Sequence, residues 1–199
     1  MIFEEERSQV AQIMRRLYER GLTTTSGGNV SLKNADGYIF ITASQSDKSC
    51  IDACKVVVLT KNLENLTPEL KPSMEIEMHL KIYEKRPDIS AIVHAHPVFA
   101  STFAVSDIKL DTFITEEAGY ILGEIAVLEH KAMGSSELAK VCSEGLAQYN
   151  VGLMKKHGAI AVGNSLIEAF DRMEVLEFTS RICFNRLVLI KLAGKIKIF

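Results

Sequence analysis

His94 and His96 are separated by one residue at the end of the apolar run Ala91-Ile92-Val93, and Pro97 follows them. The run predicts a buried strand from Ile89 to His96. Side chains alternate along a strand, so the two imidazoles share a face. Pro97 has no N–H to continue the ladder and marks the strand's end. Two imidazoles on one rigid face make half of a metal site; the plainer reading is two polar residues where a strand leaves the core. His157 precedes Gly158 and lies between the apolar runs Val151–Met154 and Ala159–Val162, which places it at a strand end or tight bend. It either completes a set of three histidines with open positions for water, substrate or a carboxylate, or is an ordinary turn residue. Glu75 is the candidate carboxylate. It falls in the first turn of a helix expected from Pro72 to Arg86, immediately before the histidine strand. A glutamate there also serves simply to complement the helix dipole. His79 shares the Glu75 face of that helix and is assigned to surface or core packing.

Ser26-Gly27-Gly28-Asn29 is a polar loop with adjacent glycines. Such a loop forms a nest of backbone N–H groups suited to an anion, although glycine pairs more often mark plain turns. Ser44 and Ser73 are hydroxyl donors beside element ends, and Ser73 lies near a helix N-terminus, where anions are favoured.

These groups need a scaffold. Val10, Ile13, Met14 and Leu17 keep helical spacing, and Gly21 supplies a stop. Val30–Leu32 and Tyr38–Thr42 flank Asp36-Gly37 as a β-hairpin. Val56–Leu59 reads as a short buried strand, Val98–Val105 as a helix, and Glu124–Glu129 as a strand. Phe113–Gly119 fits neither period. Leu138, Val141, Cys142, Leu146 and Tyr149 mark another helix face, and Leu166 to Leu187 a long final helix. The tail Lys195–Phe199 is basic and apolar, placed either on a neighbouring subunit or fraying. Strands intermixed with helices, and an early hairpin, imply one α/β domain over 1–199. The expected architecture is three layers around a mainly antiparallel or mixed sheet.

The chain has 199 residues, 47% hydrophobic and 24% charged, which excludes a disordered chain. A net charge of −2 offers no general attraction to nucleic acid. No apolar run reaches membrane-spanning length, and the acidic N-terminus lacks a signal-peptide core, so the expected location is cytoplasmic. Cys50, Cys54, Cys142 and Cys183 read as free thiols rather than a zinc site.

Taken together, Gly27-Gly28-Asn29-Val30-Ser31, Ile41-Thr42-Ala43-Ser44, Lys71-Pro72-Ser73-Met74-Glu75, His94-Ala95-His96-Pro97 and Lys156-His157-Gly158 resemble, in order, the motifs of the class II aldolase and adducin N-terminal domain family. The resemblance implies a divalent metal, typically zinc, on His94, His96 and His157, with Glu75 as resting-state ligand and acid–base group. It places Gly28, Asn29, Ser44, Gln45, Ser73 and Met74 in a phosphate or donor pocket. It implies a homotetramer and cleavage of a phosphorylated ketose, of the fuculose-1-phosphate type or related, to dihydroxyacetone phosphate and an aldehyde. The chain departs from the pattern at Met74, where relatives commonly have a second serine, and at Ser44-Gln45, where they often have Thr-Gly. A tyrosine expected near Phe113 is missing. Glu117 is a candidate replacement acid–base group, with Glu116 and a solvated acidic pair as alternatives. The same scaffold also carries pentulose-phosphate epimerases, a dehydratase, decarboxylases and, in adducin, a non-enzymatic assembly domain.

Overall fold

A computed structural model describes residues 1–193. The expected tail at Lys195–Phe199 lies outside the described residues. The strands are β1 (Asn29–Lys33), β2 (Ile39–Thr42), β3 (Val56–Leu59), β4 (Ala91–Ala95), β5 (Ala126–Leu128), β6 (Val151–Met154) and β7 (Gly158–Gly163). These seven form one sheet in the order β3-β2-β1-β4-β7-β6-β5. All neighbours run antiparallel except β5 and β6, which are parallel. The sheet is therefore mixed and mainly antiparallel, as the intermixed elements imply.

Alternation divides the apolar residues between two faces. On β4, Ala91, Val93 and Ala95 face a core built with α1 (Glu4–Glu19), α3 (Val98–Ala104), α4 (Glu116–Ile121) and α6 (Leu166–Ala193). Ile92 faces the other core, shared with α2 (Ile76–Lys85) and α5 (Ser136–Gly145). This is the three-layer arrangement, with β4 at its centre. Val10, Met14 and Leu17 of α1 are fully buried, as their spacing predicts. The Phe113–Gly119 ambiguity resolves into a turn followed by α4, whose N-cap Thr115 accepts a hydrogen bond from the Ala118 N–H.

One boundary differs in a way that matters for the site. The helix expected from Pro72 starts only at Ile76. Pro72 instead bridges Ala43, and the Ser44 N–H donates to the Lys71 carbonyl. Proline tolerates such an edge position because it has no donor to lose. Tying 71–72 to 43–44 keeps this stretch extended, so Glu75 becomes the N-cap residue rather than a first-turn residue. Strand β4 also ends at Ala95, one residue before His96.

Candidate metal centre

Four side chains arrive from three places. His94 is on β4 and fully buried. His96 lies just beyond, held by its own N–H, which donates to the Leu22 carbonyl, while Pro97 caps α3. His157 sits in the β6–β7 hairpin turn, where Lys156 takes the left-handed conformation and the His157 N–H donates to the Met154 carbonyl. Glu75 enters from the start of α2 and is 5% exposed.

Glycines allow these segments to meet. A Cβ at Gly158 would lie 2.5 Å from the Ala95 carbonyl oxygen and 2.6 Å from His96 Cδ2. Gly28 has φ +67°, and a Cβ there would lie 2.6 Å from the His94 carbonyl oxygen. The Gly28 loop and the His157 turn therefore close on β4 by backbone contact.

The geometry matches a small divalent ion. His94 Nδ1–H donates to the Ala159 carbonyl at 2.9 Å, which leaves Nε2 with its lone pair on the site side. His94 Nε2 is 3.2 Å from His96 Nε2 and 3.2 Å from Glu75 Oε2, and His157 Nε2 is 3.4 Å from Glu75 Oε1. Ligand atoms about 2.0–2.1 Å from a tetrahedral ion are separated by about 3.3–3.4 Å, close to the His94–His96 spacing, while the two Glu75 spacings run to different carboxylate oxygens. The ligand nitrogens of His94, His96 and His157 all lie within 4.8 Å of one another. Glu75 Oε1 and His157 Nε2 are buried without any hydrogen-bond partner. Orphaned acceptors of this kind are costly unless something satisfies them, and a cation does so. The three histidines can hold a metal ion.

Electrostatics favour the neutral form for two of the three imidazoles. Burial, aided by the His94 charge, pushes His96 and His157 down to about 4, so both are neutral imidazoles at pH 7. Burial alone would raise Glu75, but His94, His157 and the Asn29 hydrogen bond outweigh it and hold the carboxyl well below its usual range. Without an ion, burial would lower His94, but the Glu75 charge and hydrogen bond raise it, so it is the most readily protonated of the three imidazoles and a metal on Nε2 displaces that proton.

The expected anion pocket is only partly assembled from side chains. Ser44 and Ser73 are drawn together by the 43–44 and 71–72 pairing. Ser73 Oγ accepts from the Glu75 N–H at 3.3 Å. Gln45 has φ +56°, and Met74 is 63% exposed. Asn29 is 3% exposed, and its side chain is committed inward: Nδ2 donates to Glu75 Oε2 at 2.8 Å, and Oδ1 accepts from His79 Nε2 at 2.6 Å. Glu116 and Glu117 are exposed in the first turn of α4, and Glu117 makes no hydrogen bond or ion pair through its side chain among the described residues. A cleft of about 630 Å³, lined in part by Phe103, Asp107, Phe113, Glu124 and Lys155, includes none of the four site groups.

His79 is the group that sequence reasoning undervalues. It is fully buried and hydrogen-bonded on both ring nitrogens, to Asn29 and to Ser31. The signal that could have found it is spacing: Glu75, His79 and Tyr83 recur every four residues on one helix face, and Asn29 and Ser31 share a strand face.

Fold and site together define an α/β scaffold with three histidines that could hold a metal ion. The model of the class II aldolase and adducin N-terminal domain matches residues 8–184, and the chain belongs to that family as an enzyme of the class II aldolase type. It is similar to an L-fuculose phosphate aldolase of Methanococcus vannielii, with 36% identity over 83% of this chain and 88% of that protein. It is 29% identical to a 3-oxo-tetronate 4-phosphate decarboxylase of Haemophilus influenzae, over 90% of this chain and 87% of that protein. A sugar-phosphate aldolase from Thermotoga maritima superposes with a TM-score of 0.86 at 26% identity, covering 93% of this chain and 96% of that one. No described helix is long and apolar enough to cross a membrane.

Proposed function

We propose that the chain is a zinc-dependent aldolase that cleaves a phosphorylated ketose to dihydroxyacetone phosphate and an aldehyde. The observation that carries this is the convergence of Glu75 with His94, His96 and His157, whose ligand nitrogens lie within 4.8 Å of one another, with Glu75 Oε1 and His157 Nε2 left unpartnered. A divalent ion bound there supplies the positive charge that a ketose needs as its carbon–carbon bond breaks. Three neutral imidazoles bind without cancelling that charge. Glu75 Oε1 is the proton-transfer atom, since Oε2 is already engaged by Asn29. The Gly28 main chain, Ser44 and Ser73 orient the phosphate, with Gln45 and Met74 at the rim; Asn29 contributes there through its main chain only. Orientation remote from the reacting atoms lowers the barrier through positioning. Glu117 is retained as a second acid–base group, a role its exposure permits. Exposed apolar residues on the C-terminal half of α6, including Phe184, Leu187 and Ile190, support assembly as a homotetramer.

The test is metal analysis followed by a panel of ketose 1-phosphates with a coupled triose-phosphate readout. Stoichiometric zinc and triose-phosphate release are expected, with Glu75→Gln slower by about 10²–10⁴-fold. Wild-type protein without metal, or unimpaired Glu75→Gln, defeats the proposal. The departures at Gln45 and Met74, with the similarity to a decarboxylase, favour one second reading: a lyase or epimerase using the same site. Carbon dioxide or an epimer, formed without triose phosphate, identifies it.

A further inference from the structure

Glu75 is the end of a buried chain of hydrogen bonds that leads away from the imidazoles. Asn29 Nδ2 to Glu75 Oε2 is 2.8 Å, His79 Nε2 to Asn29 Oδ1 is 2.6 Å, Ser31 Oγ to His79 Nδ1 is 2.6 Å, and Tyr83 Oη to Ser31 Oγ is 2.8 Å. Every member is sequestered: Asn29 is 3% exposed, Ser31 and His79 0%, Tyr83 3% and Glu75 5%.

The direction of each bond follows from chemistry. An ionised carboxylate only accepts, so Asn29 must turn its NH₂ to Glu75 and its carbonyl to His79. His79 must then carry its proton on Nε2, which leaves Nδ1 to accept from the Ser31 hydroxyl. The Ser31 proton is then spent on His79, so its oxygen accepts from the Tyr83 hydroxyl at 2.8 Å, the shorter of that hydroxyl's two contacts, the Ser90 carbonyl being 3.2 Å away. All donors point toward Glu75, and the chain is consistent with a single neutral tautomer of His79. Burial, with the His94 charge, pushes His79 down to about 3, in keeping with that neutral form.

We propose that His79 is a positioning residue for Glu75, acting through Asn29 to hold Oε2 and so aim Oε1 at His157 and the metal position. The inference rests on the metal site proposed above. Oε2 accepts the hydrogen bond from Asn29 and lies 3.2 Å from His94 Nε2, whereas Oε1 has only His157 Nε2 at 3.4 Å and no hydrogen bond. Without an amide fixed on Oε2, the carboxylate is free to rotate and exchange the two oxygens. The Asn29 amide is fixed only because His79 grips its other end. Topology reinforces this: Asn29 lies opposite His94 in the β1–β4 pairing, so the residue that orients the carboxylate sits directly across from a ligand. A satisfied buried network specifies one geometry, which apolar packing of the same helix would not.

The experiment compares full-length wild type with His79→Gln and His79→Leu. Glutamine places an amide N–H near the Nε2 position and keeps the grip on Asn29; leucine removes it. Zinc affinity is measured by competition with a chromophoric chelator, alongside thermal melts. Expected is about 10–100-fold weaker zinc binding for His79→Leu, the range for losing an outer partner of a ligand, with most of it restored in His79→Gln. Nitrogen-15 NMR of the metal-free protein is expected to show His79 protonated at Nε2. Equal zinc affinity in wild type and His79→Leu, or equal weakening in both variants whatever their melting temperatures, overturns the proposal, as does an Nδ1-protonated tautomer. If wild type binds no zinc, the functional reading fails by itself. Crystal structures of metal-free wild type and His79→Leu then decide the positioning role: a rotated Glu75 carboxylate in the variant supports it, and an unchanged one overturns it.

Discussion

The two sides of Glu75 obey different rules. Toward α2 and β1, through Asn29, His79, Ser31 and Tyr83, every bond has a donor and an acceptor in a dry environment. Toward β4 and the β6–β7 turn, Glu75 Oε1 and His157 Nε2 are also buried and have no hydrogen-bond partner. Burying a polar atom without a partner costs about 1–3 kcal/mol, so a fold that does so twice at one point is organised for something else. The satisfied side holds shape; the unsatisfied side is where binding energy is recovered.

That contrast can be broken from either side. The largest effect is expected on the open side. His157→Ala should weaken zinc binding by more than the roughly 100-fold typical of losing an outer partner, while leaving the metal-free protein as stable as wild type, because it deletes an orphaned nitrogen. Chelator competition and urea unfolding separate the two quantities. On the satisfied side the pattern reverses. Ser31→Ala strands His79 Nδ1 and weakens the hold on the Tyr83 hydroxyl, and urea unfolding should show a loss of about 1–3 kcal/mol.

Lys48 is an intermediate case. It is 2% exposed, and its ammonium reaches Ser46 Oγ at 2.8 Å and the Ala43 carbonyl at 3.5 Å, with no carboxylate paired to it among the described residues. Burial lowers it to about 8 from 10.5. Between these values the unfolded chain holds the proton that the folded chain has released, so stability rises with pH across that window. Below about 8 both states are charged and the full penalty applies. Lys48→Met should therefore be stabilised relative to wild type at pH 7, by about 1–3 kcal/mol, with the advantage shrinking from about pH 8 to above 10. Melting curves at about pH 7 and about pH 10, on either side of most of that window, check it. The smallest effect is expected at Gln45, whose φ of +56° costs a side-chain-bearing residue about 1–2 kcal/mol. Gln45→Gly should gain about 0.5–1 kcal/mol after glycine's own entropy cost, read by urea unfolding.

Much of this molecule is legible in advance because the signals are local. Apolar runs mark β3, β4, β6 and β7, and helical spacing marks α1, α5 and α6. The pairing of His94 with His96 follows from strand alternation, and the candidacy of His157 from a turn between two runs. The signals that fail are non-local. Pro72 reads as a helix start because nothing near it reveals the bridge to Ala43. Asn29 reads as a pocket residue because its loop is glycine-rich, yet its amide is spent on Glu75 and His79. His79 reads as packing because a lone histidine on a helix face usually is.

By itself, then, the sequence determined residue types, element periods and the family, since these depend on side-chain chemistry and short-range geometry. The motifs imply that Glu75 meets the imidazoles, but tertiary structure alone decided which of its oxygens is held and which is open, and that β5 runs parallel to β6. Those outcomes depend on contacts between residues far apart along the chain, such as Glu75 with His94 and His157, and no local rule constrains them.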